Sequence, residues 1–491
     1  MFQGTDYAYK LFEENKGRKV LVYFDPDVDG LFSGYFICKY LESRGIPYSY
    51  YINENRKHGF MLNLDKLEGY MIISVDFTID LSIIEDMKTR DIVSINIDHH
   101  DISTNLIQWD KGIVINNQYH FEPEQKKYLS GAGVVFEVLC CWDNRFNTSD
   151  NRAIVGVTLL SDVRPIENAE AEKYLLETYS KDNSSGIFKY LIDSVLEIDY
   201  GFGVPKMDRN FIDYTFSPRL NSMFRFNEGM EAVRFVLGYG LETIDKRGLQ
   251  RAYSQYLNNI SSLKMFDNYC LTEIDVNDIS VNEMLQFFDE IEFDYSNIIE
   301  SCYNIEPSNF IGLSCSSVKD SCGKSSVAIL KDNDKLIRGS FRGKYDGIEY
   351  LEVFRRNNVV AFGHMGAFGI IDMPTDDSSL EAIQQDIMQT EIGYIPTHKV
   401  MDVKNLSFFC VHKGARIAKK NNLVRDDHRT YVKYTGDNVV LKRGTPKYQE
   451  YFIDGIKVKC FDEQITVENG LILPILERGY VALYLKSVKL L

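Results

Sequence analysis

The stretch KVLVYFDPDVDG, residues 19–30, decides how this chain is read. Residues 19–24 are a short and almost wholly apolar run, the pattern of a buried strand. Asp25, Asp27 and Asp29 follow it directly. Carboxylates this close repel one another, so their crowding where a buried strand ends calls for a compensating charge. The same arrangement recurs downstream. YMIISVDF (70–77) runs into Asp76, IVSINIDHH (92–100) into Asp98, His99 and His100, and AIVGVTLLSD (153–162) into Asp162. LFSGYFICKYLES (31–43) and GAGVVFEVLCCW (131–142) carry helical spacing between them. Strand–helix alternation with doubly buried strands predicts an α/β domain on a parallel sheet. Sites in such sheets form at the carboxyl ends of the strands. This reading places Asp27, Asp29, Asp76, Asp98, His99 and Asp162 at strand ends.

The chain has 491 residues, 44% hydrophobic and 26% charged, which fits a soluble protein of two to four domains. No apolar run reaches the length of a membrane span, and the N-terminus has no signal-peptide core. The nine cysteines form no zinc-type pairs and read as reduced thiols in a cytoplasmic protein. The net charge of −16 argues against nucleic-acid binding over the whole surface. The charge is uneven, however. Residues 399–459 hold 14 Lys/Arg against 6 Asp/Glu, a basic module on an acidic body.

The chain divides by pattern into four parts. Residues 1–225 form the parallel-sheet domain, and 226–300 a connector that is helical at first and then acidic. Residues 301–393 form a smaller α/β domain containing KLIRGSFRG and the Gly-rich AFGHMGAFG. Residues 394–491 form a β-rich basic module whose short alternating segments suit a small barrel or sandwich, with an OB-fold as the candidate.

Hard divalent cations take oxygen ligands, and mixed Asp/His sets suit manganese. Asp27, Asp29, Asp76, His99 and Asp162 together can hold two metal ions, the arrangement of many phosphatases and nucleases. The ordered motifs DPDVDG, SVDF, IDHHD and LLSD resemble motifs one to four of the DHH phosphoesterase superfamily. AFGHMGAFG resembles the Gly-Gly-His motif of its companion DHHA1 domain. Within the superfamily the chain is most similar to the RecJ-like exonuclease branch. Asp25 precedes Asp27 by two residues, Tyr23 stands where other branches have His, and SPRLNSMFR (217–225) resembles a RecJ stretch. The chain departs from the family at Ala361-Phe362-Gly363-His364, where the pattern is Gly-Gly-Gly-His, and at Ser222-Met223-Phe224-Arg225, where it is Ala-Ala-Gly-Arg.

The resemblance implies a phosphodiesterase with two Mn²⁺ ions, or Mg²⁺, held by Asp27, Asp29, Asp76, His99 and Asp162. It implies catalytic roles for His100 at the scissile phosphate and for Asp98 and Asp25 in orienting their neighbours. Arg219, Asn221, Arg342, Gly363 and His364 are the expected substrate contacts, Arg through its bidentate fork. Ser130 is either an ordinary helix cap or part of a phosphate site. The implied activity is 5′→3′ hydrolysis of single-stranded DNA to mononucleotides. Implied partners are single-stranded nucleic acid, DNA rather than RNA, and a single-strand-binding protein or helicase, with no membrane. Two other readings stay open: a phosphodiesterase of oligoribonucleotides or cyclic dinucleotides, and an inactive RecJ-like scaffold.

Overall fold

The computed structural model describes residues 2–100, 108–117, 128–162, 169–182, 186–195, 207, 211–238, 246–333, 335–344, 348–364, 366–392, 400–403, 431–434, 439–445, 448–453, 456–460, 471–477 and 480–486. The first sheet contains β1 (Lys19–Phe24), β2 (Tyr48–Ile52), β3 (Tyr70–Val75), β4 (Val93–Asp98), β5 (Gln108–Trp109) and β6 (Gly112–Asn116), in the order β2-β1-β3-β4-β6-β5. All pairings are parallel except β5 with β6. Side chains alternate between two cores. Val20, Val22 and Phe24 face the helices Val28–Ser43, Gly131–Trp142 and Ser149–Ser161, while Leu21 and Tyr23 face Phe60, Phe77, Ile84 and Met87. Burial of both faces explains why β1, β3, β4 and β6 read as unbroken apolar runs. Gly34 brings its helix close to β1, since a Cβ there would come 2.2 Å from the Phe24 ring.

The order reverses at β1. The chain runs from β1 to β2 on one side and returns to β3 on the other. Such a switch point opens a crevice beyond the strands' carboxyl ends. The turns carrying Asp25–Asp29 and Asp76 border it.

A second sheet contains β7 (Ser262–Met265), β8 (Tyr269–Asp275), β9 (Ser325–Asp332), β10 (Lys335–Arg342), β11 (Val360–His364) and β12 (Ala367–Asp372), in the order β11-β12-β10-β9-β8-β7. Only β8 and β9 pair in parallel. Phe341 and Phe368 stack on one face over the helices Tyr350–Arg356 and Asp377–Ile392. The other face packs on the helices Arg247–Ile260, Val281–Glu290 and Ile311–Cys322. This sheet starts earlier than the sequence suggested. β7 and β8 lie inside residues 226–300, where the acidic run that follows masked two short strands.

Strands β13 (Val400–Val403), β14 (Tyr431–Tyr434), β15 (Val439–Thr445), β16 (Tyr448–Ile453), β17 (Ile456–Cys460), β18 (Leu471–Glu477) and β19 (Tyr480–Lys486) form a third sheet in the order β13-β14-β18-β19-β17-β16-β15. The β-rich expectation for the last hundred residues matches this sheet. Its seven strands exceed the five of an OB-fold. The segment SFFCVHK lies outside the described residues. Among the described residues no helix is long and apolar enough to cross a membrane.

Candidate metal centre

The turn after β1 is built by its own carboxylates. Asp27 caps the helix Val28–Ser43, its Oδ1 accepting the Gly30 N–H at 2.9 Å. Gly30 is required here, because a Cβ would lie 2.6 Å from the Asp25 carbonyl oxygen. Asp29, buried in the first turn of that helix, accepts the N–H groups of Gly131 at 2.6 Å and Ala132 at 3.0 Å. These amides open the helix Gly131–Trp142, whose cap is Ser130, with Oγ accepting the Gly133 N–H at 3.3 Å. Ser130 is therefore an ordinary cap, and the neighbouring amides serve Asp29.

Asp76 follows β3 with φ +65°, a left-handed conformation uncommon outside glycine and typical of residues held for function. Its Oδ1 lies 2.2 Å from where a Cβ on residue 131 would sit, so Gly131 makes room for the carboxylate. Asp162 does not end a strand. It caps the C-terminus of the helix Ser149–Ser161. The apolar run before it is buried all round, so periodicity could not separate helix from strand.

These elements converge on one imidazole nitrogen. His99 Nε2 lies 3.2 Å from Asp76 Oδ1, 3.6 Å from Asp162 Oδ2 and 3.7 Å from Asp29 Oδ2. A single nitrogen carries at most one proton and cannot satisfy three carboxylates. The same donors around a cation form an ordinary Asp/His coordination set. Three overlapping groups have ligand atoms within 4.8 Å of one another: Asp29, His99 and Asp162; Asp25, Asp27 and Asp76; and Asp76, His99 and His100. Asp25 Oδ1 is also buried without a hydrogen-bond donor. The donor set thus fits divalent metal, with Asp76 and His99 at its centre.

The electrostatics agree. Burial, then the charges of Asp162 and Asp27, push Asp29 up to about 8, against its hydrogen bonds from Ala132 and Ser130. Burial and the surrounding carboxylates raise Asp76 well above the carboxylate range. Asp98 behaves oppositely. Burial disfavours its charge, but His100 and Thr78 outweigh that and hold it below the usual range. Its Oδ1 accepts from the His99 and His100 amides at 2.7 and 3.2 Å and lies 2.8 Å from His100 Nδ1, while Thr78 Oγ1 donates to Oδ2 at 2.8 Å. Burial opposes protonation of His100, yet Asp98, then Asp162 and Asp25, push it up to about 10. In the metal-free fold Asp98 thus favours the protonated form of His100.

Sequence reasoning did not find the loop that covers Asp25. His58 Nδ1 lies 2.6 Å from Asp25 Oδ2. The loop is tied down by Tyr23, whose buried hydroxyl donates to Asn53 Oδ1 and accepts the Met61 N–H at 3.0 Å. Arg56 sits in this loop at φ +47°, within the electrostatic reach of Asp27, Asp25 and Arg342. Arg225 lies within that of Arg56, Arg342 and Arg338. Burial lowers the proton affinity of all four arginines, and Arg225, which also feels the charges of Arg56, Arg342 and Arg338, is lowered furthest. Among the described residues no salt bridge joins any of them to a carboxylate. Guanidinium groups stay protonated, so this cluster suits an anion.

Of the expected substrate contacts, Arg342 belongs to this cluster, with Nη1 donating to Ser340 Oγ at 2.8 Å. Arg219 is almost fully buried, and the arginine of its helix that meets the cluster is Arg225. Asn221 accepts from Arg225 Nη1 at 3.2 Å through its carbonyl. Gly363 has φ +140°, and a Cβ there would press on Phe368 at 2.9 Å. His364 ends β11 opposite Ala367. No pattern in the sequence points to Arg56, and Arg225, although it ends the SPRLNSMFR stretch, meets Arg56 only through the fold, which brings a loop and a distant helix together.

Residues 19–160 match the DHH family, N-terminal domain. The whole fold is RecJ-like. The crystal structure of RecJ with Mn²⁺ from Thermus thermophilus has a TM-score of 0.64 at 15% identity, covering 99% of this chain and 71% of that one. The same organism's RecJ with Mg²⁺ gives 0.59 at 14%, covering 99% and 70%. A structure of exonuclease RecJ bound to manganese gives 0.53 at 17%, covering 80% and 96%. A search of the curated proteins returns no match.

Proposed function

We propose that this protein is a two-metal phosphodiesterase that degrades single-stranded DNA from its 5′ end, releasing mononucleotides. The observation that carries the reading is the placing of an Asp/His metal set beside an arginine cluster that, among the described residues, forms no salt bridge. Arg56 interacts electrostatically with both, with Asp27 of the first and Arg342 of the second. A site that offers cations to an anion next to donors for a metal is complementary to a phosphodiester. The RecJ-like fold supports the nuclease branch of the family, and the relatives were solved with Mn²⁺ and Mg²⁺.

Asp29, Asp76, His99 and Asp162 would hold one ion, and Asp25, Asp27 and Asp76 a second. Bound metal supplies Lewis acidity and lowers the pKa of coordinated water. The remaining chemistry belongs to the side chains. His100, whose protonated form Asp98 favours, donates to a phosphoryl oxygen as charge builds there. Thr78 holds Asp98 in the orientation that fixes His100. His58 orients Asp25. Arg56, Arg225 and Arg342 bind phosphate oxygens through charge-assisted hydrogen bonds.

The test uses the whole protein with Mn²⁺ and a long single strand labelled at either end, with Asp76→Ala/His99→Ala as control. Release of labelled mononucleotide from the 5′ end, lost in the double variant, is the expected result. An intact strand, with hydrolysis of dinucleotides instead, would move the protein to the small-substrate branch. No turnover of either would leave the scaffold reading.

A further inference from the structure

The second sheet carries an exposed aromatic where the family pattern has glycine. Phe362 on β11 is 61% exposed. It pairs across the sheet with Gly369 on β12, and Gly369 pairs with Ser340 on β10. Residues in one cross-strand row point to the same face. Phe362 therefore shares its face with Ser340, and with Arg338 and Arg342, two residues either side of Ser340 along β10.

The helix Ile311–Cys322 covers part of this face. Its Cys315 reaches the Ser340 carbonyl at 3.3 Å, and a Cβ on its Gly312 would meet the Arg342 guanidinium at 2.8 Å. Beyond β10 the face opens. A Cβ built on Gly369 meets nothing nearer than a backbone oxygen at 3.8 Å. The result is a shelf floored by Gly369, with the Arg342 guanidinium, bonded to Ser340, on one side and the Phe362 ring on the other. The two sides are two strand spacings apart, about 10 Å.

We infer that this shelf seats an unpaired nucleobase on Phe362 while Arg342 and its neighbours hold that nucleotide's phosphate. The inference rests on the phosphodiesterase reading for its substrate and adds the residue that grips the base. The chemistry selects the occupant. A base offers a π-face to an aromatic ring without regard to its identity, and its phosphate answers the arginines beside the ring. A base in a duplex has both faces stacked, so the shelf favours single strands. An apolar peptide would leave the arginines unanswered.

The experiment places 2-aminopurine at each of the first three nucleotides of a single strand and measures its fluorescence on binding in EDTA, where turnover plays no part. One position is expected to be quenched by the wild-type protein. Phe362→Ala should abolish that quench and weaken binding about 5- to 150-fold, the scale of one stacked base. Phe362→Trp should keep both. The penalty of Phe362→Ala should vanish on a strand abasic at the quenched position. Equal quenching by Phe362→Ala, or penalties of variant and abasic strand that multiply, would overturn the platform. So would a change of oligomeric state in Phe362→Ala with binding untouched. A Phe362-dependent quench in a protein that hydrolyses no strand would leave the platform standing and remove the nuclease reading. Hydrolysis with a Phe362-independent quench would do the reverse.

Discussion

Two rims of opposite charge border the crevice. The acidic rim gathers Asp25, Asp27, Asp29 and Asp76 at the ends of β1 and β3, while the basic rim gathers Arg225, Arg338 and Arg342, with Arg56 interacting electrostatically with both. Each rim repels itself, and the carboxylates of one could have neutralised the guanidinium groups of the other. Among the described residues they do not pair. Among the described residues the side chains that form ion-pair contacts with these acids are His99 and His58. Rims that collapsed on each other would be more stable and would have no room for a ligand. Their separation leaves unfavourable electrostatics that, on the proposed reading, a metal–phosphate pair would relieve, one half on each side.

The largest test removes the acidic rim's centre. Asp76→Ala with His99→Ala should lower metal-dependent hydrolysis by well over 100-fold, since even groups that only support ligands cost about 10- to 100-fold. Manganese binding measured by calorimetry should fall with it. Retained binding would mean that Asp76 and His99 do not ligate the metal. On the basic side, Arg225→Met should lower kcat/KM by about 10- to 100-fold, the scale of a hydrogen bond to a charged group. The same variant should raise the melting temperature of the metal-free protein, because a buried charge among like charges is removed. A lower melting temperature with unchanged activity would mean that Arg225 is structural.

Two smaller effects sharpen the picture. Gly131→Ala forces a methyl against Asp76 and should weaken metal affinity about 10-fold, while overpacking costs about 1–3 kcal/mol of stability. Thermal melts of the metal-free protein should show a pH slope. Asp29 and Asp76 have raised values in the fold, so the protons they hold stabilise it at low pH. That stabilisation is complete below about 4 and lost as pH rises toward 8. Melting temperature should therefore fall across this window, and saturating Mn²⁺ should flatten the slope. A slope unchanged by metal would place the ion elsewhere.

Much of the acidic rim was legible because strand ends announce themselves. Apolar runs buried on both faces cannot hide where they stop, so Asp27, Asp29, Asp76, Asp98 and His99 could be read in order. Asp162 was placed in the right company through the wrong element, since an all-round buried helix and a buried strand look alike in sequence. The basic rim was legible only at Arg342. Arg225 was passed over for Arg219, on the same helix, because helical spacing alone does not say which face looks into a crevice. Arg56 and His58 sit in a loop whose path is set by the Tyr23 hydroxyl, a tertiary contact that leaves no periodic trace.

The bonds from Asp29 to the Gly131 and Ala132 amides close a loop of 102 and 103 residues. Closure of so long a loop delays folding, because chain entropy is lost before the contact rewards it. Asp162 lies further along still. During synthesis the site can assemble only after residue 162 has left the ribosome and β4 has found β3. The rate at which refolding protein acquires metal affinity should therefore track the slowest step of the parallel-sheet domain, making chelation a clock for its folding.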